Sequence, residues 1–237
     1  MSKPTLKQLK EQLTQRWNEE SIDEVSRWLY AKMKGPCPSG EVEIEGLAFA
    51  DLRGYRALGG EVPRGVSMQH VDMSFGELNF NTSVFRDCIF VRTEWGGGYV
   101  GHLFERCDFT RAQCRQSNLV QAIFIDCKME GINLQRIFAG RGTSFHRCDL
   151  TGAYFTEAGL GVQGEVSVTF TECCLNQARF GSRSPLLRED EEHNAAYRGG
   201  QLSGVSFVAC TFHDVDWGGA DTSTAEFLPE DTKPIYV

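Results

Sequence analysis

Large apolar side chains recur every five residues between residues 80 and 95, at Phe80, Phe85, Phe90 and Trp95. An amphipathic α-helix would space them near 3.6 residues and a half-buried strand would alternate them strictly, so neither element explains this period. A second, mostly smaller residue stands two positions before each large one. The repeating unit is therefore small-x-large-x-x.

The same unit extends over most of the chain, with slips of one residue at GGGYV and FAGRG. ADLRG at residues 50–54 begins the series, and polar Glu165 stands at one position where a core residue is expected. The large position is predicted to hold Phe75, Phe80, Phe85, Phe90, Trp95, Phe104, Phe109, Cys114, Leu119, Phe124, Met129, Leu134, Phe145, Leu150, Phe155, Leu160, Phe170, Leu175, Phe180, Phe207, Phe212 and Trp217.

The unit predicts a coil built from short extended sides. Residues two apart on an extended segment point the same way, so the small and the large residue both face inward, and the last two residues turn the chain. Six of the nine cysteines take the small position, and Cys88, Cys107, Cys127 and Cys148 follow one another at 19, 20 and 21 residues. Four units per turn therefore place them in one column, with coils about 4.8 Å apart. Roughly six coils would give a rod on the order of 30 Å long.

ADLRG, SNLVQ, CDLTG and AGLGV resemble the A(D/N)Lxx unit of the pentapeptide-repeat family, and FRDCIF and FERCDF resemble a variant of it. The resemblance covers roughly residues 42–222. It implies an all-β fold, a right-handed quadrilateral β-helix. So many units in register are specific for the fold and much less specific for function.

Residues 1–40 are predicted to form a helical hairpin that caps the first coil. One apolar stripe is Leu6, Leu9, Leu13 and Trp17, while SIDE at residues 21–24 is interpreted as a capping box before a second helix that ends at Gly35-Pro36. Terminal coils need such caps against edge pairing. The alternative role of the hairpin is to dock a partner.

The predicted β-helix spans residues 41–222, with an interruption at 181–204 and an irregular tail at 223–237. A loop as long as this interruption is usually functional or disordered. Its charged run is either solvated surface or a partner-binding site that offers carboxylates to a basic protein, and the predicted contact residues are Arg188, Glu189, Asp190, Glu191 and Glu192. The tail either lies across the last coil or joins two subunits into a homodimer.

The formal net charge is -8, divided into a +2 head over the first 34 residues and a -10 body. An acidic body disfavours direct nucleic-acid binding. The chain shows neither the apolar run of a signal peptide nor a membrane-spanning stretch, so a cytoplasmic location without membrane association and with reduced cysteines is expected.

The sequence offers little chemistry. GLGVQG at residues 159–164 matches the dinucleotide fingerprint but lacks the strand and helix that such a site needs. There is no C-x-x-C pair, and the histidines are scattered, with His102 at an inward position and HDVD at 213–216 only a weak cluster. We therefore predict no catalytic, cofactor-binding or metal-binding residues and no enzymatic activity; an enzyme would require a cleft with converging groups.

The family resemblance implies a binding function. Its Qnr-type quinolone-resistance members are acidic rods thought to mimic duplex DNA and to engage DNA gyrase or topoisomerase IV, with projecting loops needed for protection. Surplus carboxylates on a rod could occupy a basic DNA-binding surface. The hypothesis is therefore an acidic protein that binds a type II topoisomerase as a DNA mimic. The alternative is a structural adaptor or scaffold that holds a protein partner through the helical cap or the 181–204 loop.

Overall fold

The computed structural model describes residues 4–57, 67–78, 84–95, 103–140, 142–161, 168–181, 202–220 and 222–228. Helices α1 (Leu6–Gln15) and α2 (Glu19–Tyr30) precede a series of short strands. The strands are β1 (Glu41–Ile44), β2 (Leu47–Asp51), β3 (Arg56–Ala57), β4 (Ser67–Gln69), β5 (Val71–Asp72), β6 (Glu77–Leu78), β7 (Val84–Arg86), β8 (Glu94–Trp95), β9 (Leu103–Glu105), β10 (Ile123–Ile125), β11 (Ser144–His146), β12 (Thr169–Thr171), β13 (Ser206–Val208) and β14 (Glu226–Phe227).

The strands wind into the predicted right-handed quadrilateral β-helix, which is confirmed. Its first side is a parallel sheet of eight strands, one from each successive coil, in the order β4, β7, β9, β10, β11, β12, β13, β14. The second and third sides begin as the three-stranded sheets β1-β2-β5 and β3-β6-β8. Parallel single-residue bridges continue them, from Asp72 to Thr211 on the second side and from Glu94 to Asp216 on the third, and form the fourth side from Asn118 to Gly159.

Aromatic rings stack along the inside of the first side. Phe85, Phe104, Phe124, Phe145, Phe170, Phe207 and Phe227 follow one another with ring centroids 4.9–5.1 Å apart. This separation matches the spacing of paired strands, so the backbone ladder and the ring stack impose the same rise per coil. A five-residue period in sequence thus becomes a continuous dry core.

The corners of the β-helix use left-handed backbone. At the end of the first side, Asp87, Arg106, Asp126, Arg147 and Glu172 all have φ between 48° and 54°. Such a conformation costs a non-glycine residue roughly 1 kcal/mol. The ladder offsets this cost because the corner amides donate to the next coil, as in Arg106 N to Ile125 O at 2.9 Å.

The predicted cysteine column is confirmed on the second side. It consists of Cys88, Cys107, Cys127, Cys148, Cys173 and Cys210, all buried. Each thiol lies between two carbonyl acceptors: Cys127 Sγ is 3.4 Å from Ile125 O in its own coil and 3.5 Å from Phe104 O in the preceding one. The thiol fits the small inward position because it is compact and can still donate one hydrogen bond.

The prediction that Phe75 faces the core is wrong. Phe75 lies at a corner with φ 61° and a half-buried side chain. Met68 and Leu78 pair with Phe85 and Trp95 of the next coil, and Met73 takes the large inward position between them. On the first side, Met68 and its partner Phe85 are 17 residues apart, fewer than the 19 between Phe85 and Phe104. Counting backwards from the later coils in steps of five therefore gave the wrong register.

The beginning of the second helix also differs from the prediction. SIDE is not its capping box, because α2 begins at Glu19 and is capped by Asn18, three residues before Ser21; the Asn18 side chain accepts from Ser21 N at 2.9 Å. Ser21 is the third helical residue and bonds back to Asn18 N. Asn is as good an N-cap as Ser. Ser21 and Glu24 also have the spacing of a capping box, so the sequence pattern favoured Ser21 as the cap instead of Asn18.

The β-helix continues past residue 222, where the sequence had suggested an irregular tail. β14 pairs in parallel with β13, and Phe227 stacks on Phe207 at 5.1 Å. Residues 229–237 of the predicted tail, and with them the suggested dimer contact there, lie outside the described residues.

The two helices form the predicted hairpin but occupy different places. α2 buries Val25, Trp28 and Leu29 against the core. α1 buries no residue. Its carboxyl-terminal end meets the first coil, where the Leu13 backbone lies against Gly54 so closely that a Cβ there would come within 2.6 Å. Arg16, at the carboxyl-terminal cap of α1, binds Asp51 of the first coil, and six residues earlier Lys10 reaches Glu94, two coils further along the rod. A rise of about 9 Å over six helical residues matches two coil spacings, so α1 lies along the rod.

None of the described helices is long and apolar enough to cross a membrane.

Candidate interaction surfaces

The run predicted to bind a partner, Arg188 to Glu192, lies outside the described residues, as do His102 and Glu165. The insertion that contains the run follows Gly181, and the chain returns to the β-helix at Leu202. In GLGVQG, Leu160 is fully buried in the core and Gly159 pairs with Phe138, while residues 162–164 are not described.

Within the described ranges, no group of three or more His, Cys, Asp or Glu side chains converges as metal ligands would. His213 and Asp214 are exposed at the corner between the second and third sides, where Asp214 has φ 52°, and Asp216 lies on the third side, where its carboxylate accepts from Gly218 N at 3.0 Å. The motif HDVD therefore extends from this corner onto the third side.

Charge is distributed in blocks along the rod. Residues 84–181 contain ten acidic and ten basic residues, so the middle of the chain has no net charge. Residues 182–237 contain ten acidic residues and four basic ones. Most of the surplus of -8 therefore belongs to the carboxyl-terminal quarter rather than to the rod as a whole.

In the middle coils, alternating charges pair along the corner after the first side. Arg106 Nε lies 2.7 Å from Asp87 Oδ1, and Arg147 Nε lies 2.7 Å from Asp126 Oδ1 in the next pair of coils. Hydrogen bonds from these arginines hold the pKa values of Asp87 and Asp126 below the ordinary range. These acidic side chains are already matched and offer little free negative charge.

The acids of the last coils are not matched. Asp214, Asp216 and Glu226 have no basic partner within ion-pair distance among the described residues. Asp214 and Glu226 are exposed, and Asp216 is half-buried. Glu226 lies on the first side, Asp216 on the third and Asp214 at the corner before the third, so these acids surround the end of the rod. The sequence carries a signal for this acidic end, because no Lys or Arg occurs from residue 199 to residue 232.

A second concentration of charge lies under the cap and is structural. Asp51 accepts from Arg16 on α1 and from Arg53, each at 2.8 Å, while Asp72 in the next coil accepts from Ser74 N at 2.9 Å. Burial raises the pKa of Asp51, but the hydrogen bonds from Arg53 and Arg16 outweigh it and hold the pKa well below its usual range. Burial dominates at Asp72, whose pKa is raised. The ion pair between Asp51 and Arg16 fastens α1 to the first coil.

We expect alkylation to distinguish the cysteines. All nine lie in the described part of the chain as free thiols; eight are buried, and Cys174, on the outer surface of the second side, is half-buried. Burial raises the pKa of the Cys107 and Cys127 thiols, and hydrogen bonding with Cys148 raises the pKa of Cys173 to about 12. The thiolate is the reactive form. Iodoacetamide should therefore modify Cys174 first in the folded protein, as followed by peptide mass spectrometry.

The Cys174→Ser variant is the control for that experiment and should leave the folded protein almost unmodified until urea is added. Modification of Cys107 or Cys127 as fast as Cys174 would show that the thiol column is open to solvent.

The sequence was compared with known proteins. A model of pentapeptide repeats matches residues 103–136 with eight copies of the repeat. A search of curated proteins found no match.

Among solved structures, the full-length plasmid-mediated fluoroquinolone resistance protein QnrB1 is similar at 14% identity and a TM-score of 0.41, covering 77% of this chain and 90% of that one. HetL, a pentapeptide-repeat protein involved in heterocyst differentiation regulation from the cyanobacterium Nostoc sp. strain PCC 7120, is similar at 16% identity and a TM-score of 0.19, covering 74% of this chain and 87% of that one.

Proposed function

The chain belongs to the pentapeptide-repeat family, and we propose that it is a non-enzymatic cytoplasmic protein that binds a basic surface of a protein partner through the acidic carboxyl-terminal end of its β-helix. The observation that carries this proposal is the set of unmatched acids Asp214, Asp216 and Glu226, within a stretch that contains no basic residue. Unpaired exposed carboxylates speed association with a complementary surface and orient the partner.

A type II topoisomerase, DNA gyrase or topoisomerase IV, is the proposed partner. These enzymes bind duplex DNA through basic surfaces, and an acidic end of a rigid rod can compete for such a surface. The balanced charge of residues 84–181 argues against mimicry along the full length of the rod. Mimicry is therefore assigned to the last coils, together with the acidic insertion that precedes them in sequence.

Quinolone-inhibited supercoiling by DNA gyrase tests the proposal. The unmodified protein should restore supercoiling in a dose-dependent manner. The triple variant Asp214→Asn, Asp216→Asn, Glu226→Gln should need about tenfold more protein, since three charge contacts of about 0.5 kcal/mol each correspond to about one tenfold step. Asn at position 216 keeps the acceptor for Gly218 N.

The matched control is Asp108→Asn, Glu130→Gln, Asp149→Asn, which removes two acids from the second side of the middle coils and one from the corner that follows it. It should protect as well as the unmodified protein. Equal loss in both triple variants would mean that only total charge matters, and no rescue at any dose of the unmodified protein would overturn the topoisomerase proposal.

A scaffold function that uses the cap or the 181–204 loop is the second candidate. It is favoured by the two exposed apolar side chains of the helical hairpin, Leu6 at 54% and Tyr30 at 56% exposure. In that case, a Leu6→Ser, Tyr30→Ser variant should lose a partner in affinity capture while the supercoiling assay shows no effect of either triple variant.

A further inference from the structure

The middle of the rod has no net charge, but its charge is separated from side to side. Among described residues 84–181, the third side and its two corners hold five arginines and three acids. The first two sides and the corner between them hold six acids and four basic residues. The rod therefore presents a basic third side next to acidic first and second sides.

Two of the three acids on the basic side are already paired, and the third, Glu130, is exposed at the corner that also holds Arg92 and Arg111. Glu94 is paired with Lys10 of α1 at 2.5 Å, and Glu157 is paired with Arg136 at 2.5 Å. The four remaining arginines, which we call the arginine face, have no carboxylate within ion-pair distance among the described residues; they are Arg92, Arg111, Arg115 and Arg179. Three of them are exposed, and Arg92 is half-buried.

Hydrogen bonds and ring contacts hold this face in a fixed arrangement. Arg115 donates to Gln135 Oε1 at 2.9 Å, and Arg179 lies over the Tyr154 ring with its guanidinium carbon 5.1 Å from the centroid. Between them, Asn133 Nδ2 donates to Gln113 Oε1 at 3.1 Å. The guanidinium groups keep free N–H donors, which suit the two oxygens of a carboxylate.

We propose that the arginine face binds a short acidic segment of a protein in extended conformation, at a site that adjoins the acidic end assigned above, since Arg179 is bridged to Asp216 in the next coil. From Glu94 to Arg179 the third side rises through four coils, which is about 19 Å at 4.8 Å per coil. That length accommodates about six extended residues. Carboxylates on such a segment meet the arginines, and the exposed Tyr154 ring adds apolar contact area.

The net negative charge of the whole molecule favours the binding of a short acidic partner over a long one. A nucleic-acid strand carries a charge on every nucleotide and would extend beyond the face towards the acidic sides and the acidic carboxyl-terminal end. A segment of about six residues stays on the arginine face, so repulsion from the remainder of the -8 charge is smaller.

Fluorescence anisotropy with a labelled hexaglutamate peptide at low ionic strength tests this proposal. The Arg111→Gln, Arg115→Gln variant should bind about tenfold more weakly, and added salt should weaken binding to the unmodified protein. Glutamine already occupies a left-handed corner position at Gln116, so the backbone at residue 111 can accept it. An unchanged urea unfolding midpoint verifies that the variant is folded.

The control variant is Arg106→Gln, Arg147→Gln, which changes the net charge equally but removes arginines from the ion-paired corner of the first side. It should bind the peptide as the unmodified protein does. Equal weakening in both variants, or no binding by the unmodified protein, would overturn the proposal. Tighter binding of a thymidine hexanucleotide than of hexaglutamate would also overturn it, in favour of nucleic acid.

Discussion

Replacing Phe145 by alanine should lower the free energy of unfolding by about 3–5 kcal/mol, the usual cost of removing a buried phenylalanine ring. Phe145 is fully buried, and its ring is stacked between Phe124 and Phe170, each 4.9 Å away. The neighbouring coils are tied to a common backbone ladder and cannot collapse into the cavity without breaking hydrogen bonds. Equilibrium unfolding in urea measures the loss.

Phe138→Ala is the matched control, because Phe138 belongs to an adjacent coil but lies outside on the fourth side with 53% of its surface exposed. It should change stability by less than about 1 kcal/mol. If both substitutions had similar effects, the assignment of inward and outward positions would be wrong.

Replacing Asp51 by asparagine should lower the free energy of unfolding by about 2–3 kcal/mol at neutral pH. Asparagine cannot neutralise Arg16 and Arg53, which would keep their charges next to a buried site. Both arginines remain about one third exposed, so the expected loss is smaller than for a fully buried pair. Thermal unfolding, together with proteolysis at the α1–α2 connection, measures the loss and locates it in the cap.

Asp72, the ladder neighbour of Asp51 in the next coil, provides the control, because its substitution should change the stability in the opposite direction. Its folded pKa is raised, so ionisation at neutral pH opposes folding, and Asp72→Asn should leave stability unchanged or increase it. The folded pKa of Asp51 is lowered, so its contribution is present above the ordinary value of 3.8 and is lost as pH falls towards its folded pKa. Equal destabilisation by both substitutions would contradict this account of the ion cluster.

Most of the β-helix could be predicted from the sequence because its period is local. Phe85, Phe104, Phe124 and Phe145 occupy equivalent positions in successive coils, and a strict five-residue unit leaves few alternatives for the backbone. The register of the early coil could not be predicted in this way. Phe75 is larger than Met73, yet Met73 takes the inward position. The register of this coil is set by the pairing of Met68 with Phe85 and of Leu78 with Trp95, and both partners belong to the next coil.

The candidate surfaces were less accessible to sequence reasoning. The charges of Asp87, Arg106, Asp126 and Arg147 look dispersed along the chain, and only four-sided winding brings them into one ion-paired corner. The same winding separates Arg111 and Arg115 from the acids of the other sides. By contrast, the absence of basic residues from 199 to 232 is visible in the sequence and marks the acidic end directly.

Hydrogen–deuterium exchange of the protein alone and with purified DNA gyrase tests the central claim most directly. Exchange in residues 202–228 should slow when gyrase is present, and the ion-paired middle coils around residues 84–140 should change little. Protection spread evenly along the rod, or no protection under conditions in which this protein restores supercoiling by gyrase, would contradict the claim that the acidic carboxyl-terminal end is the binding surface.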